Sequence, residues 1–177
     1  VCEAMTVALT DEQYRTLSPT YDPGPSVASV DSQTIWQLLG VDQKVTFLRN
    51  YQSRIPSGGR VLDVGCGAGG YLLAAKALGW NATGVEPSES HSTIGHALGL
   101  DIRSGLFRAI DFPSEIYDLV IVSHVIEHIY DPKSFVNDLF RVTRPGGLII
   151  IITPNVQSYA SILAGRFWVM YKPIDHV

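Results

Sequence analysis

RVLDVGCGAGGYLLAAKALGWNATGVE, residues 60–86, is the stretch that decides the fold of this chain. The short apolar run Val61–Val64 is bounded by glycine, which is typical of a strand buried on both faces of a parallel sheet. An Ala/Leu-rich helix is predicted over Tyr71–Leu78, and Ala82–Val85 is predicted as the next strand after a helix stop at Gly79. This unit of strand, turn, helix and strand indicates an α/β fold.

The turn between the first strand and its helix predicts a ligand site. Only a residue without Cβ adopts positive φ freely or lets a ligand touch the backbone. The free N–H groups of the helix point at whatever lies over the turn. Glu86 ends the second strand at the edge where open α/β sheets bind ligands, and its carboxylate can accept both hydroxyls of a ribose. We therefore expect a nucleoside-bearing cofactor over Gly65, Gly67, Gly69 and Gly70.

Two interpretations of this site compete. Gly65, Gly67 and Gly70 satisfy the G-x-G-x-x-G pattern, with Glu86 at about the spacing of the ribose carboxylate in dinucleotide-binding folds. That pattern favours an NAD-dependent oxidoreductase. Asp63 argues against it, because this residue lies inside the first strand, where a dinucleotide-binding strand usually runs apolar into its glycines.

Four motifs in order resemble the class I S-adenosylmethionine (SAM) methyltransferases: VLDVGCGAGG (61–70), GVEPS (84–88), YDLVIVSHVIEHIYDP (117–132) and RPGGLIIIITPN (144–155). The EHxxDP motif at residues 127–132 resembles that of the family members that methylate small molecules. The resemblance implies a doubly wound, mostly parallel Rossmann-like sheet, SAM as cofactor and S-adenosylhomocysteine (SAH) as product. It also implies methyl transfer to a small-molecule acceptor, which we expect to be a hydroxyl oxygen. A non-catalytic SAM-binding protein is a further alternative.

The resemblance places the cofactor over the carboxyl ends of the first, second and fourth strands. The sequence departs from the family after the third strand, predicted at Asp101–Arg103. Many relatives have an Asp there that binds the adenine amino group, whereas this chain reads Gly105-Leu106-Phe107, so we expect apolar contact with the ring. The residues expected to bind the cofactor are Asp63, Gly65, Cys66, Gly67, Gly69, Glu86, Pro87, Leu106, Phe107, Ser123 and His124.

Histidines after the fourth strand are the candidates for a catalytic base. An imidazole titrates near pH 6.5, so His124 or His128 is expected to take a proton from a hydroxyl acceptor. A histidine beside a helix start is often a structural hydrogen-bonder, and His176, near the C-terminal end, is a third candidate. Glu127, His128 and Asp131 are close in sequence, but the first two face apart on a helix, so we expect no metal site.

The chain is expected to contain an N-terminal helical and lid segment, residues 1–55, and a SAM-binding domain, residues 56–177. A short helix is predicted from Thr10 to Leu17, and Tyr14 and Tyr21 are expected either in a lid over the cofactor or packed on the edge of the sheet. The fourth and fifth strands are predicted at Tyr117–Ser123 and, after a turn, Leu148–Thr153. The family's sheet has seven strands closed by an antiparallel hairpin, so we expect the C-terminal strands to be missing here.

The composition of this 177-residue chain, 46% hydrophobic and 17% charged, limits the kinds of partner that it is expected to bind. The net charge of −4 and the lack of a dense lysine or arginine cluster argue against a nucleic-acid partner. No apolar run approaches the roughly 20 residues that cross a bilayer, so we expect a cytoplasmic protein without a membrane partner. We expect a small-molecule acceptor. The apolar edge of the fifth strand leads us to expect either a homodimer or a native protein longer than these residues.

Overall fold

Apolar runs of the sequence form the strands of a parallel sheet. The computed structural model describes residues 32–108, 111–155 and 157–164. Within these residues the sheet has the strand order β3-β2-β1-β4-β5. The strands are β1 Arg60–Val64, β2 Asn81–Glu86, β3 Asp101–Ser104, β4 Tyr117–Ser123 and β5 Thr143–Ile152. This confirms the predicted doubly wound α/β fold.

Helices cover both faces of the sheet. Asp131 caps α5 by accepting a hydrogen bond from the Ser134 N–H, and Ser88 caps α4 in the same way through the His91 N–H. The helices are α1 Ser32–Leu38, α2 Val41–Arg49, α3 Gly70–Ala77, α4 Glu89–Ala97, α5 Pro132–Val142 and α6 Tyr159–Ala164. Short 3₁₀ turns lie at Gln52–Arg54 and Ile126–His128.

The two central strands, β1 and β4, divide the core by alternation of their side chains. Val61 and Leu119 pack with α2 and α3 on one face, whereas Leu62 and Val120 pack with α5 on the other. Successive strand residues point to opposite faces, so Asp63 lies on the same face as Val61. Asp63 is therefore directed toward the side of the sheet that α2 and α3 cover.

The strand order reverses between β1 and β4. From β1 the chain moves outward through β2 to β3, and it then crosses to the other side of β1 to form β4 and β5. All pairings are parallel, so the carboxyl ends of β1, β2 and β4 lie at one edge. Ligands of open α/β sheets bind at such a reversal, which places the glycine turn and the residues after Ser123 around one crevice.

The start of β5 differs from the prediction. Arg144–Gly147 was expected to be a turn before a strand at Leu148, but β5 already pairs at Thr143 and bulges over those four residues. Asp118 explains the bulge, because its carboxylate accepts hydrogen bonds from the Arg144 Nε–H and, at 2.8 Å, from the Arg60 N–H. A carboxylate on one strand thus holds the two neighbouring strands.

Some predictions fall outside the described residues. These are the helix Thr10–Leu17, the lid tyrosines Tyr14 and Tyr21, and His176. The division at residue 55 and the homodimer stay predictions; in the described part of the chain, β5 pairs with β4 alone. No helix in that part has both the length and the apolar character needed to span a bilayer.

Asp118→Ala should lower the free energy of unfolding by about 2–3 kcal/mol, because it removes the buried acceptor of Arg60 and Arg144. Urea denaturation followed by circular dichroism measures the change. Asp111→Ala is the matched control, since its side chain is 54% exposed and its ion pair with Arg108 spans 3.9 Å. A surface pair of this kind contributes about 0–1 kcal/mol, so equal losses in the two variants would contradict the role of Asp118.

Candidate active site

The glycine turn after β1 is shaped by backbone conformations that favour glycine. Gly65, Gly67 and Gly69 have φ of 72°, 55° and 93°. A Cβ on Gly65 would collide with the Val125 side chain, and one on Gly69 would collide with Leu100. A Cβ on Gly67 would meet no atom within 4 Å. Gly65 and Gly69 are thus required by packing, whereas Gly67 faces the open crevice.

Glu86, at the end of β2, holds this turn in place. Its Oε2 accepts a hydrogen bond from the Gly67 N–H at 2.8 Å, and its Oε1 accepts one from the Ser88 N–H at 2.9 Å. The residue is 7% exposed. A carboxylate oxygen has two lone-pair sites, so each oxygen keeps one for a ligand hydroxyl. His91, on the first turn of α4, places its Nδ1 4.0 Å from the Glu86 Oε1.

Asp63 is a buried carboxylate without a hydrogen-bond partner among the described residues. It is 1% exposed, and neither oxygen accepts a hydrogen bond there. Burial raises the pKa of Asp63 to about 7; the charge of Glu86 adds to the rise and the Lys44 ammonium opposes it. An unpartnered buried carboxylate costs free energy, which a cationic group of a ligand would offset.

Lys44 and Tyr71 lie near Asp63, and neither is predicted from the sequence as a site residue. The Lys44 ammonium donates to the Leu39 carbonyl at 2.8 Å and lies 5.2 Å from the centroid of the Tyr71 ring. Burial raises the pKa of the Tyr71 phenol, which stays neutral; the charge of Asp63 adds to the rise and the nearby Ser123 opposes it. The sequence contains one indication that Lys44 faces inward: it follows the apolar Val41 by three residues and so lies on the same face of α2.

His124 directly follows β4, at the same edge of the sheet as the glycine turn. Its backbone is left-handed, with φ of 57°, and its N–H donates to the Ile152 carbonyl at 2.8 Å. The side chain is 51% exposed, and its Nδ1 lies 3.4 Å from the Glu127 Oε1. His128, on the following 3₁₀ turn, is half-buried. Among the described residues, no three His, Cys, Asp or Glu side chains are arranged to hold a metal ion.

The remaining predicted cofactor residues lie in different environments. Leu106 is 42% exposed beyond β3, whereas the Phe107 ring packs against Phe112 and Phe135 with centroids 5.4 and 5.9 Å away. Cys66 is buried in the turn, and burial, together with the charges of nearby carboxylates, raises the pKa of its thiol. The thiol therefore stays protonated and is no nucleophile. Pro87 is exposed directly after Glu86.

Comparison with known proteins decides between the two interpretations of this crevice. The profile of a family described as a methyltransferase domain matches residues 39–177. The chain belongs to this methyltransferase family. The predicted resemblance to SAM-dependent methyltransferases is confirmed, and the match decides against the dinucleotide-dependent alternative.

Curated relatives agree with the methyltransferase assignment. The ubiquinone biosynthesis O-methyltransferase of Bradyrhizobium sp. (strain ORS 278) is 35% identical over 134 residues, covering 70% of this chain and 52% of that protein. The protein of the same name from Maricaulis maris (strain MCS10) is 37% identical over 120 residues, covering 63% of this chain and 47% of that protein. The chain thus spans about half the length of the curated relatives it matches.

Solved structures share the fold of this methyltransferase domain. A SAM-dependent methyltransferase from Archaeoglobus fulgidus has a TM-score of 0.57 and 26% identity over 70% of this chain and 57% of that one. Phosphoethanolamine N-methyltransferase 2 of Haemonchus contortus, solved with phosphomonomethylethanolamine and S-adenosylhomocysteine, has a TM-score of 0.54 and 25% identity over 62% of this chain and 27% of that one. The described residues thus form a SAM-dependent methyltransferase domain.

Gly67→Ala should abolish detectable SAM binding in calorimetry and leave a folded protein, because the new methyl group points into the crevice. Gly79→Ala is the matched control: Gly79 also has positive φ, 78°, and no atom within 4 Å of a built Cβ, but it ends α3 away from the crevice. Both variants carry the same kind of backbone strain. Retained SAM affinity in Gly67→Ala, or an equal loss in Gly79→Ala, would contradict this placement of the cofactor.

Asp63→Asn should stabilise the ligand-free protein at pH 8 and progressively less at lower pH. The folded pKa of Asp63, about 7, exceeds its ordinary value of 3.8, so the folded state binds more protons than the unfolded state between these values. The contribution of Asp63 to stability is therefore lost as pH rises through 7, and the asparagine variant avoids this loss. Urea unfolding at pH 5.5 and pH 8 measures the difference. A difference that does not depend on pH would contradict the raised pKa.

Proposed function

We propose that this methyltransferase domain serves the transfer of the SAM methyl group to a hydroxyl oxygen of a small molecule. The observation that supports an oxygen acceptor is the half-exposed His124 imidazole beside the glycine turn. A hydroxyl becomes a good nucleophile as it loses its proton, so a base is needed at this edge of the sheet. The names of the curated relatives, O-methyltransferases, support the same acceptor atom.

The polar groups around the turn fit those of SAM. Glu86 keeps lone pairs for the ribose hydroxyls, and the unpartnered Asp63 carboxylate suits the ammonium of the cofactor's amino acid. Lys44, the cation that acts on Asp63, suits the carboxylate of that amino acid. Leu106 and Phe107 are proposed to contact the adenine ring: Leu106 is exposed, and Phe107, which packs against Phe135, is partly exposed. Backbone contacts with SAM are proposed at Gly65, Cys66, Gly67, Gly69, Pro87, Ser123 and His124.

Alignment is the main contribution expected from the protein. When bound, SAM supplies a methyl group that its sulfonium already activates. Holding two reactants in line is worth up to roughly 7–11 kcal/mol. Within this arrangement His124 takes the acceptor proton at its exposed ring nitrogen. Tyr71 and Ser123 are proposed to line the cofactor site between the glycine turn and the end of β4.

The acceptor is proposed to be a small molecule. The net charge of −4 disfavours the phosphate backbone of a nucleic acid. A cytoplasmic location and a homodimer through the β5 edge are proposed with it. The cytoplasmic location is inferred from the composition. The homodimer is inferred from the apolar edge strand β5, in which Ile151 is 38% exposed.

His124→Ala should reduce turnover by a factor of about 10²–10⁴ while the SAM dissociation constant stays within threefold, because the substitution removes the imidazole that contacts the acceptor and keeps the backbone that is proposed to contact the cofactor. Turnover is measured as SAH formation with a panel of phenols and alcohols, and SAM affinity by calorimetry. His128→Ala, measured in parallel, shows whether the second histidine acts on the acceptor. Wild-type rates in both variants would exclude a histidine base, and SAM binding without turnover of any hydroxyl in the wild type would contradict the proposed function.

A further inference from the structure

We propose that Glu127 is a positioning residue that fixes the ring and the tautomer of His124. The proposal deepens the proposed function and rests on it: Glu127 would hold the Nδ1–H of His124, so that the Nε2 lone pair is free to accept the proton of the acceptor hydroxyl. The two residues form a carboxylate–imidazole pair at the carboxyl edge of β4, three residues apart.

Glu127 is held for this role by its own surroundings. Its side chain is 10% exposed, and its Oε2 accepts a hydrogen bond from the Thr153 hydroxyl at 3.2 Å. Its Oε1 is buried without a hydrogen-bond partner among the described residues, and it faces the His124 Nδ1 at 3.4 Å. A buried carboxylate oxygen needs a donor, and the His124 ring nitrogen at 3.4 Å supplies one when Nδ1 carries the proton. The carboxylate thus bridges the end of β5 and the ring.

The backbone of His124 supports the same arrangement. Its φ of 57° is uncommon for a residue with a Cβ and persists where the surroundings impose it. The hydrogen bond from its N–H to the Ile152 carbonyl, at 2.8 Å, ties it to the end of β5. Val125, the next residue, packs against Gly65 of the glycine turn. The hydrogen bond to Ile152 and the contact of Val125 with Gly65 therefore fix the strained residue beside the glycine turn.

The pair has a defined chemical consequence. A neutral imidazole has one N–H and one lone pair, and the hydrogen bond that one nitrogen makes decides the role of the other. With Nδ1–H directed at Glu127, Nε2 accepts the proton as the O–H bond of the acceptor breaks. The electron pair of that bond stays on the oxygen, to which bound SAM would supply the methyl group; the electron pair of the broken carbon–sulfur bond would stay on the sulfur of SAH. The imidazolium that results is stabilised by the Glu127 carboxylate.

Nitrogen-15 NMR of histidine-labelled protein tests the pair without any turnover. We expect His124 in the Nδ1–H tautomer in the wild type. In Glu127→Gln the Thr153 hydroxyl keeps the amide oxygen, so the amide NH₂ faces Nδ1 and the ring changes to the Nε2–H tautomer. Glu115→Gln is the matched control at the opposite end of β4, and it should leave the tautomer unchanged. A wild-type Nε2–H tautomer, or no change in Glu127→Gln, would overturn the proposal.

Kinetics with two phenols separates this proposal from the proposed function. With catechol, Glu127→Gln should lower kcat by about 10²–10³-fold and leave KM and the SAM dissociation constant within threefold. With 4-nitrocatechol, which gives up its proton more readily, the loss should shrink at least tenfold. An equal loss with both phenols would overturn the positioning role of Glu127. Absence of SAH formation by the wild type with either phenol would count against the proposed function alone, because the NMR result still decides the tautomer.

Discussion

The hydrogen bond between the Glu86 carboxylate and the Gly67 N–H is the constraint on which the site depends. It joins the end of β2 to the turn that follows β1, and the other carboxylate oxygen joins the same point to the start of α4. The pairing of Val64 with Val85 sets the two strand ends level, so that a carboxylate one residue beyond Val85 reaches the turn. Val125 then packs on Gly65, and the position of His124 follows from that contact.

The site is assembled from groups that a fold selected for stability alone would avoid. Asp63 is a buried carboxylate without a partner among the described residues, His124 has a left-handed backbone, and the turn contains three glycines with positive φ. Each of these features costs folding free energy, and all of them lie around one crevice. Their cost is offset by the apolar packing of β1 and β4, whose side chains are buried on both faces. The well-packed strands β1 and β4 therefore support a crevice whose residues have unfavourable conformations or burial.

Sequence patterns predicted the sheet and the cofactor edge because both are local properties. Runs such as Leu119–Val122 are apolar since both faces of β4 are covered, and Glu86 is recognisable by its place after a strand. Lys44 and Tyr71 were not predicted, because their nearness to Asp63 arises from the packing of α2 and α3 on one face of the sheet.

One difference from the predicted fold has the same origin in a long-range contact. The bulge in β5 depends on Asp118, which bonds to strands on either side of β4, so the local sequence of Arg144–Gly147 predicts a turn instead. The most direct test of the central claim is the SAM dissociation constant of Glu86→Ala by calorimetry, with the exposed Glu89→Ala as control. We expect Glu86→Ala to lose SAM affinity by roughly 10- to 150-fold, the equivalent of about 1.5–3 kcal/mol for a charged hydrogen-bond acceptor. The SAM dissociation constant of Glu89→Ala should not change. An unchanged dissociation constant in a folded Glu86→Ala variant would contradict the central claim.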